Sequence, residues 1–168
     1  MAEARFLCQV NVRAQGDAAT RVSRALQLEL PAQPNTFTTN GDRGALWLGP
    51  DEWLVVTEDV RSAARIESSI RAAFPPDWGT VVDVSANRVA LQIAGPNARD
   101  VLATSCPLDL RPRSFGVGRC AQTLFANTPV IIWQTNDLPT FWLLVRTSFA
   151  GHVDKWLTDA AAQSTPLP

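Results

Sequence analysis

The side chains with the clearest chemical potential lie in a short acidic turn between two tryptophans. Asp51 and Glu52 are adjacent in the segment WLGPDEW, which begins at Trp47 and ends at Trp53. Two carboxylates could hold a cation or a substrate ammonium group, but a metal site needs further ligands and none follows nearby. The proline of this segment presets a tight turn, and Asp51 can accept bonds from backbone N–H groups. The segment therefore predicts a hairpin corner.

The two tryptophans have two possible roles, core packing and docking. Trp53 opens a predicted strand, where we expect it to pack partly inside the protein, while tryptophan is also a common anchor of interfaces. If Trp53 is core, Trp53→Ala should cost about 3–5 kcal/mol of stability. If it is an anchor, about 2 kcal/mol or more should be lost from binding. Trp47, Asp51 and Trp53 are therefore candidate contacts with a partner.

A second polar group lies in the segment DVSANR, from Asp83 to Arg88. Asp83 and Ser85 lie on one side of a predicted strand, because side chains alternate along a strand. Such a pair could orient a substrate, although it more often bonds to backbone groups at a strand end. Arg88 could pair with Asp83 or reach a partner. Arg88 and Arg99 complete the set of candidate partner contacts.

The remaining reactive groups predict no active site. FGVGRC lacks the full phosphate-binding spacing and precedes a strand, so it predicts a turn. The cysteines, Cys8, Cys106 and Cys120, are widely spaced without a C-x-x-C pair, which argues against a disulfide framework and a thiolate zinc site. We expect Cys106 and Cys120 to be small buried apolar residues. His152 is the single histidine and is typical of a surface or partly packed position. We predict no catalytic, cofactor-binding or metal-binding residue.

Composition excludes several classes of protein. The 168 residues are 46% apolar with a formal net charge of −1, as in a globular protein without a basic patch. This charge balance argues against nucleic-acid binding and against attraction to anionic lipid. The apolar runs are too short to span a bilayer. The N-terminal segment MAEARFLCQVNVR has no pattern of a targeting sequence, so we expect a cytoplasmic location.

The first half of the chain alternates strand and helix patterns. Strands are predicted at Phe6–Val12, Ala45–Leu48, Glu52–Thr57 and Val81–Val84, with a loop over Pro31–Gly44. One predicted helix covers residues 17–28, with Ala18, Val22, Ala25 and Leu26 facing inward. Another covers residues 60–74, with Val60, Ala63, Ile66, Ile70 and Phe74 facing inward, and Pro75–Pro76 ending it. The order β-α-β-β-α-β is the ferredoxin-like pattern.

The second half begins in the same way. A strand at Val89–Ile93 precedes Gly95–Pro96 and a helix whose inner face carries Ala98, Val101 and Leu102. Strands follow at Cys120–Phe125, Pro129–Gln134 and Thr140–Arg146, and a last helix places Val153, Trp156, Leu157 and Ala160 inward. The chain thus predicts an α+β fold of two tandem ferredoxin-like sub-modules, β-α-β-β-α-β over residues 1–84 and β-α-β-β-β-α over residues 85–168. We expect them to share an interface and form one compact body.

Four segments together resemble one known family. WLGPDEWLVV, VDVSANRVALQIAGPNARDVLATSCPLDL, FGVGRCAQTLFANTPVII and FWLLVRTSFAGHVDKWLTDA, between about Ala45 and Ala160, are similar to the gamma subunit of heterotetrameric sarcosine oxidase. The resemblance implies a complex with alpha, beta and delta subunits that oxidatively demethylates sarcosine. Its products are glycine, a one-carbon unit on tetrahydrofolate, and hydrogen peroxide. The resemblance assigns FAD, FMN, NAD, tetrahydrofolate and zinc to the partner subunits, and no known catalytic group to the gamma subunit.

The same resemblance extends to the folate-binding aminomethyltransferase domain, of which this chain looks like a shortened form. DVS followed by a strand, Gly-Pro and a helix is the shared pattern. The aminomethyltransferases carry a Gly-Gly stretch and two aspartates, one of them catalytic, on a hairpin that here reads CAQTLFANTPVIIW. Because these residues are missing, folate chemistry is not carried over to this chain. A stand-alone folate-binding or one-carbon-transfer protein is the alternative. A sister complex that oxidises another N-methyl amino acid is a third hypothesis.

Overall fold

The computed structural model describes residues 3–73 and 78–163, with side chains from residue 6 onward. The chain divides into an N-terminal unit, Phe6–Ala86, and a C-terminal unit, Asn87–Pro168 together with Met1–Arg5. Each unit has one five-stranded antiparallel sheet and helices against it. The predicted α+β class is confirmed.

The N-terminal unit has the ferredoxin-like strand order with one strand added at the edge. Strand β1 (Glu3–Arg5) belongs to the other unit. The elements of the N-terminal unit are β2 (Cys8–Ala14), α1 (Asp17–Leu26), β3 (Phe37–Asn40), β4 (Arg43–Gly49), β5 (Glu52–Thr57), α2 (Ala63–Ala73) and β6 (Gly79–Asp83). The sheet order is β3-β4-β5-β2-β6. Without β3, the remaining four strands have the predicted pattern.

The core of this unit lies between one sheet face and the two helices. Val10, Val12 and Val55 point from β2 and β5 to the same face, because alternate residues share a face. Helix α1 buries Ala18, Val22 and Leu26, which are four residues apart, and α2 buries Ala63, Ile66 and Ile70.

Two residues predicted to face this core are exposed instead. Ala25 lies on the outer side of α1, and Val60 is 55% exposed because α2 begins only at Ala63. Phe74 and the predicted helix stop at Pro75–Pro76 lie outside the described residues.

The prediction that Pro31–Gly44 is entirely loop is wrong. Phe37–Asn40 forms β3, pairing with β4, whose first residue is Arg43 rather than Ala45. The turn-forming residues make a tight hairpin turn in which Gly41 has a φ of 62°. Side chains of this hairpin also bond the end of α1: Asn40 Nδ2 donates to Gln27 O at 2.6 Å, and Arg43 Nη1 donates to Leu26 O at 3.2 Å. These bonds satisfy carbonyl groups that a helix end leaves open.

The C-terminal unit contains the predicted strands and helices. Its elements are β7 (Arg88–Ala94), α3 (Ala98–Ala103), β8 (Cys120–Phe125), β9 (Thr128–Asn136), β10 (Thr140–Arg146), a 3₁₀ turn (Thr147–Phe149) and α4 (Ala150–Gln163). Phe141, Leu143 and Val145 of β10 pack in one core with residues of α3 and α4, among them Leu102 and Leu157.

Trp156 departs from the prediction for α4. The prediction that it faces inward is wrong, because it is 45% exposed while its neighbours Val153 and Leu157 are buried. The inward face of the helix is thus narrower than the sequence spacing indicates.

The fifth strand of the C-terminal sheet comes from the N-terminus. In the order β1-β7-β10-β9-β8, strand β1 pairs antiparallel with β7, with Glu3 opposite Gln92 and Arg5 opposite Ala90. Strand β1 thus flanks β7 as β6 flanks β2. The predicted division placed residues 1–84 in the first sub-module, whereas Glu3–Arg5 completes the other sheet. Three residues are too few to show a strand period, so the pairing could not be predicted from sequence.

None of the helices in residues 3–73 and 78–163 is both long enough and apolar enough to cross a membrane.

Backbone hydrogen bonds along β1 should stabilise the C-terminal unit. The N–H of Gly95 donates to Pro139 O, so the alternation of an antiparallel ladder turns the backbone groups of Ala90 and Gln92 toward β1. Arg5→Pro removes an N–H donor from this ladder and should lower the free energy of unfolding by about 1–3 kcal/mol. Amide exchange at Ala90 and Gln92 should accelerate. Arg5→Ala, which keeps the N–H, is the control, and equal exchange rates in both variants would contradict the pairing.

Candidate functional site

The GPDE segment forms the predicted hairpin corner. Pro50 and Asp51 make the turn between β4 and β5, with Gly49 opposite Glu52. In β4, one extra residue between Trp47 and Gly49 shifts the strand register. As a result, Trp47 lies directly opposite Trp53. The two indoles are therefore cross-strand neighbours on the helix-covered face of the sheet.

Both carboxylates of the corner are held by side chains of the neighbouring chain segment. Glu52 accepts hydrogen bonds from Asn11 Nδ2 at 2.8 Å and from Arg13 Nη2 at 3.1 Å. Asp51 Oδ2 accepts one from Gln15 Nε2 at 3.2 Å. These contacts fasten the hairpin to β2 and the residue after it. Within residues 3–73 and 78–163, no three His, Cys, Asp or Glu side chains are grouped as metal ligands.

Trp53 belongs to the core of the N-terminal unit. It is 5% exposed, and its indole Nε1 donates to Pro31 O at 2.8 Å. Trp47 is half-buried against the same cluster. The core packing expected of Trp53 is confirmed, and its indole fixes the start of the segment that leads to β3. A role for Trp47, Asp51 or Trp53 in partner contact stays a prediction.

Asp83 and Ser85 form a backbone-anchored turn at the end of β6. Asp83 Oδ1 accepts hydrogen bonds from the Ser85 N–H at 2.9 Å and the Ser85 hydroxyl at 2.5 Å. The Ser85 oxygen in turn accepts the Gln9 N–H at 2.9 Å. The prediction that such a pair bonds to backbone groups at a strand end, rather than orienting a substrate, is therefore confirmed. Arg88 lies half-buried at the start of β7, opposite Arg146, and its predicted partner contact stays untested.

Arg99 holds together the long loop between α3 and β8. Its guanidinium donates to the carbonyl oxygens of Leu110 and of Phe115, the latter at 3.0 Å, and to Gln134 Oε1 at 2.7 Å. It also lies 5.1 Å from the centre of the Phe141 ring. Burial lowers the pKa of Arg99. The Arg99 guanidinium is thus bonded within its own unit.

Cys106, Cys120 and His152 occupy the predicted environments. Cys8, Cys106 and Cys120 are buried and free, and burial raises the pKa of the Cys8 thiol. His152 is exposed, with Nε2 at 3.2 Å from the Ala126 carbonyl and its ring 6.0 Å from that of Trp156.

Several exposed aromatic residues were missed by sequence reasoning. Trp78, Phe149 and Trp156 are each between 44% and 48% exposed. Arg21 lies over the Trp78 ring at 5.7 Å. The high tryptophan content was the available signal, but it did not indicate which indoles are outside.

Comparison with known proteins identifies the family. A model of the sarcosine oxidase gamma subunit family matches residues 12–163. The chain belongs to this family. The sarcosine oxidase subunit gamma of Corynebacterium sp. (strain P-1) is 37% identical over 99% of this chain and 81% of that protein. The resemblance stated from the sequence motifs is therefore confirmed.

Solved structures agree with this family and with the wider fold. A chain of the heterotetrameric sarcosine oxidase from Corynebacterium sp. U-96, solved with pyrrole 2-carboxylate, matches with a TM-score of 0.90 and 34% identity, covering 99% of this chain and 87% of that chain. Aminomethyltransferase T of the glycine cleavage system from Bartonella henselae matches with a TM-score of 0.67 and 14% identity, over 93% of this chain and 45% of that chain. The second likeness shows a shared fold, as the sequence predicted.

Truncating Trp53 should destabilise the N-terminal unit. Trp53→Ala leaves a large cavity and should lower the free energy of unfolding by about 3–5 kcal/mol in chemical denaturation. Trp53→Phe keeps most of the packing but leaves the Pro31 carbonyl without its donor, which should cost about 1–3 kcal/mol. The half-exposed Trp156 is the control, and Trp156→Ala should cost less than about 1 kcal/mol. Equal losses for the two alanine variants would exclude a core role specific to Trp53.

Proposed function

We propose that this chain is the non-catalytic structural gamma subunit of a heterotetrameric sarcosine oxidase. The observation that carries the proposal is the match of nearly the whole chain, at 34% identity and a TM-score of 0.90, to a chain of such a complex. The complex would oxidatively demethylate sarcosine to glycine, pass a one-carbon unit to tetrahydrofolate and release hydrogen peroxide. Its alpha, beta and delta subunits are the partners.

The contacts of the polar side chains support a structural role. Asp51, Glu52 and Asp83 each accept hydrogen bonds from groups of the same unit. A general acid or base needs a proton-transfer group directed at a substrate, whereas these carboxylates fasten turns to strands. The thiols are buried, which keeps them from acting as exposed nucleophiles.

The cofactors are assigned by this proposal to the partner subunits. FAD, FMN, NAD and tetrahydrofolate would be held by the alpha and beta subunits, and zinc by the delta subunit. This assignment and a cytoplasmic location follow from the family resemblance and belong to the proposal.

The alternative function is a stand-alone folate-binding or one-carbon-transfer protein. The observation in its favour is the shared fold with the aminomethyltransferase. Against it, the segment from β8 to β9 has Ala126 and Asn127 at its turn and carries no Asp or Glu between Cys120 and Trp133. No carboxylate of this hairpin could therefore orient or deprotonate a folate amine.

Assembly is the first test of the proposed function. The tagged chain should be purified from cells that express its genomic neighbours encoding large flavoprotein subunits. We expect a yellow complex that contains this chain and oxidises sarcosine. An unrelated protein with the same tag is the control. A colourless chain that elutes alone, although the large subunits are soluble, would reject the proposal.

A non-catalytic chain should tolerate loss of its reactive side chains. In the purified complex, Asp51→Asn and His152→Ala should each leave kcat and KM for sarcosine within about twofold of the wild-type values, since neither group acts on substrate. Turnover must be normalised to assembled complex. A tenfold fall in kcat for either variant at full assembly would contradict the non-catalytic role.

Folate binding by the isolated chain separates the two functions. Titration calorimetry of the purified chain with tetrahydrofolate should show no binding if the site lies in another subunit. The bacterial aminomethyltransferase of the same fold is the positive control. Saturable binding with one site per chain would favour the stand-alone alternative.

A further inference from the structure

The segment between α3 and β8 concentrates positive charge in a chain whose net charge is −1. We call residues 104–119 the arginine loop. It contains Arg111, Arg113 and Arg119, with Asp109 as its single carboxylate. A loop of this length without regular structure is uncommon in a compact unit and is usually functional.

Arg99 and two apolar side chains fix the arginine loop from inside. Leu110 and Phe115 are 4% and 5% exposed and pack in the core of the C-terminal unit. The backbone carbonyls of these same two residues accept hydrogen bonds from the Arg99 guanidinium, whose other end is bonded to Gln134. One arginine therefore organises both sides of the loop, as its planar, multi-donor group allows.

The exposed tip of the loop is also held in one shape. Asp109 accepts hydrogen bonds from Arg111 Nε and Nη2 at 2.7 and 2.6 Å, and from Ser114 Oγ at 2.7 Å. The Phe115 N–H donates to Arg111 O at 2.8 Å. These bonds fold residues 109–115 into a compact turn before any partner arrives, which reduces the entropy lost on binding.

The tip has a net positive charge because its single carboxylate is matched by one arginine. Arg111 neutralises Asp109, and its hydrogen bonds hold the pKa of that carboxyl well below the usual range. Arg113 is exposed at the same tip and has no ion-pair partner within residues 3–73 and 78–163. Four residues further along the loop, Val117 is 48% exposed and adds apolar surface. A cation carried on a pre-formed turn is complementary to an acidic protein surface.

We propose that the tip of the arginine loop docks onto an acidic surface of a partner subunit. Arg113 makes the ion pair with that surface, and Arg99 is a positioning residue that holds the loop in its docking shape. This inference rests on the proposed function, because it takes the other subunits of the complex as the partner. It also assigns to Arg99 an indirect part in assembly.

Competition during assembly tests the role of Arg113. Purified wild-type and variant chains with different tags are mixed with the purified partner subunits at two salt concentrations, and the ratio incorporated into the complex is measured. Arg113→Glu should be incorporated at least about tenfold less than wild type at low salt, with a smaller deficit at high salt, since salt screens exposed charges. Arg61→Glu, the same change at an exposed site in the N-terminal unit, should compete within about twofold.

The role of Arg99 has a separate readout. Arg99→Lys keeps the charge but loses the planar fork, so amide exchange at Ser114 and Phe115 should accelerate and incorporation should fall. In that background Arg113→Glu should reduce incorporation by a smaller factor than it does alone, because the residues act through one loop. If Arg99→Lys does not fold, Gln134→Met, which removes one bond to Arg99, replaces it. If Arg99→Lys and Arg113→Glu reduce incorporation by factors that simply multiply in the double variant, the positioning role of Arg99 is overturned.

The outcomes distinguish this inference from the proposed function. If the wild-type chain is not incorporated with the partner subunits, the proposed function fails. If the wild-type chain is incorporated and Arg113→Glu competes equally with it, the docking role of the arginine loop fails and the subunit role stands.

Discussion

Each sheet depends on interior strands whose backbone groups pair on both sides. Strand β2 lies between β5 and β6, and β7 lies between β1 and β10. A strand in this position has its backbone groups satisfied by two neighbours, and its alternate residues supply a face for the helices. Val10 and Val12 do this on β2, as Leu91 and Ile93 do on β7. The hairpin corner and the arginine loop are both attached to these frameworks.

Sequence periodicity was sufficient for the elements with long, one-sided patterns. The helix α1 and the strands β7 and β10 follow from apolar spacing alone. The missed elements are short or adjoin turn-forming residues: β3 has four residues next to a Gly-containing turn, and β1 has three. Trp156 was misplaced because it is adjacent to Leu157 on the helix, and spacing does not show where an inward face ends.

The candidate site was predictable in kind but not in its contacts. The segment GPDE has the composition of a turn, so a corner followed from the residues themselves. Its fastening to Asn11 and Arg13 depends on the pairing of β2 with β5, which brings together residues distant in sequence. The role of Arg99 likewise depends on the carbonyls of residues 110 and 115, which only the folded loop brings to it. The motif series was informative in another way, because its segments together matched one family although none of them revealed these contacts.

The position of β1 imposes an order on folding during synthesis. Its three residues leave the ribosome before the segment Phe6–Ala86, whereas their pairing partner β7 is made only after that whole segment. At about 5–20 residues per second, that interval lasts several seconds, long enough for the N-terminal unit to fold as translation proceeds. Strand β1 therefore precedes the N-terminal unit in synthesis but pairs only after that unit has been made. The short length of β1 limits the unpaired strand edge that is exposed during this interval.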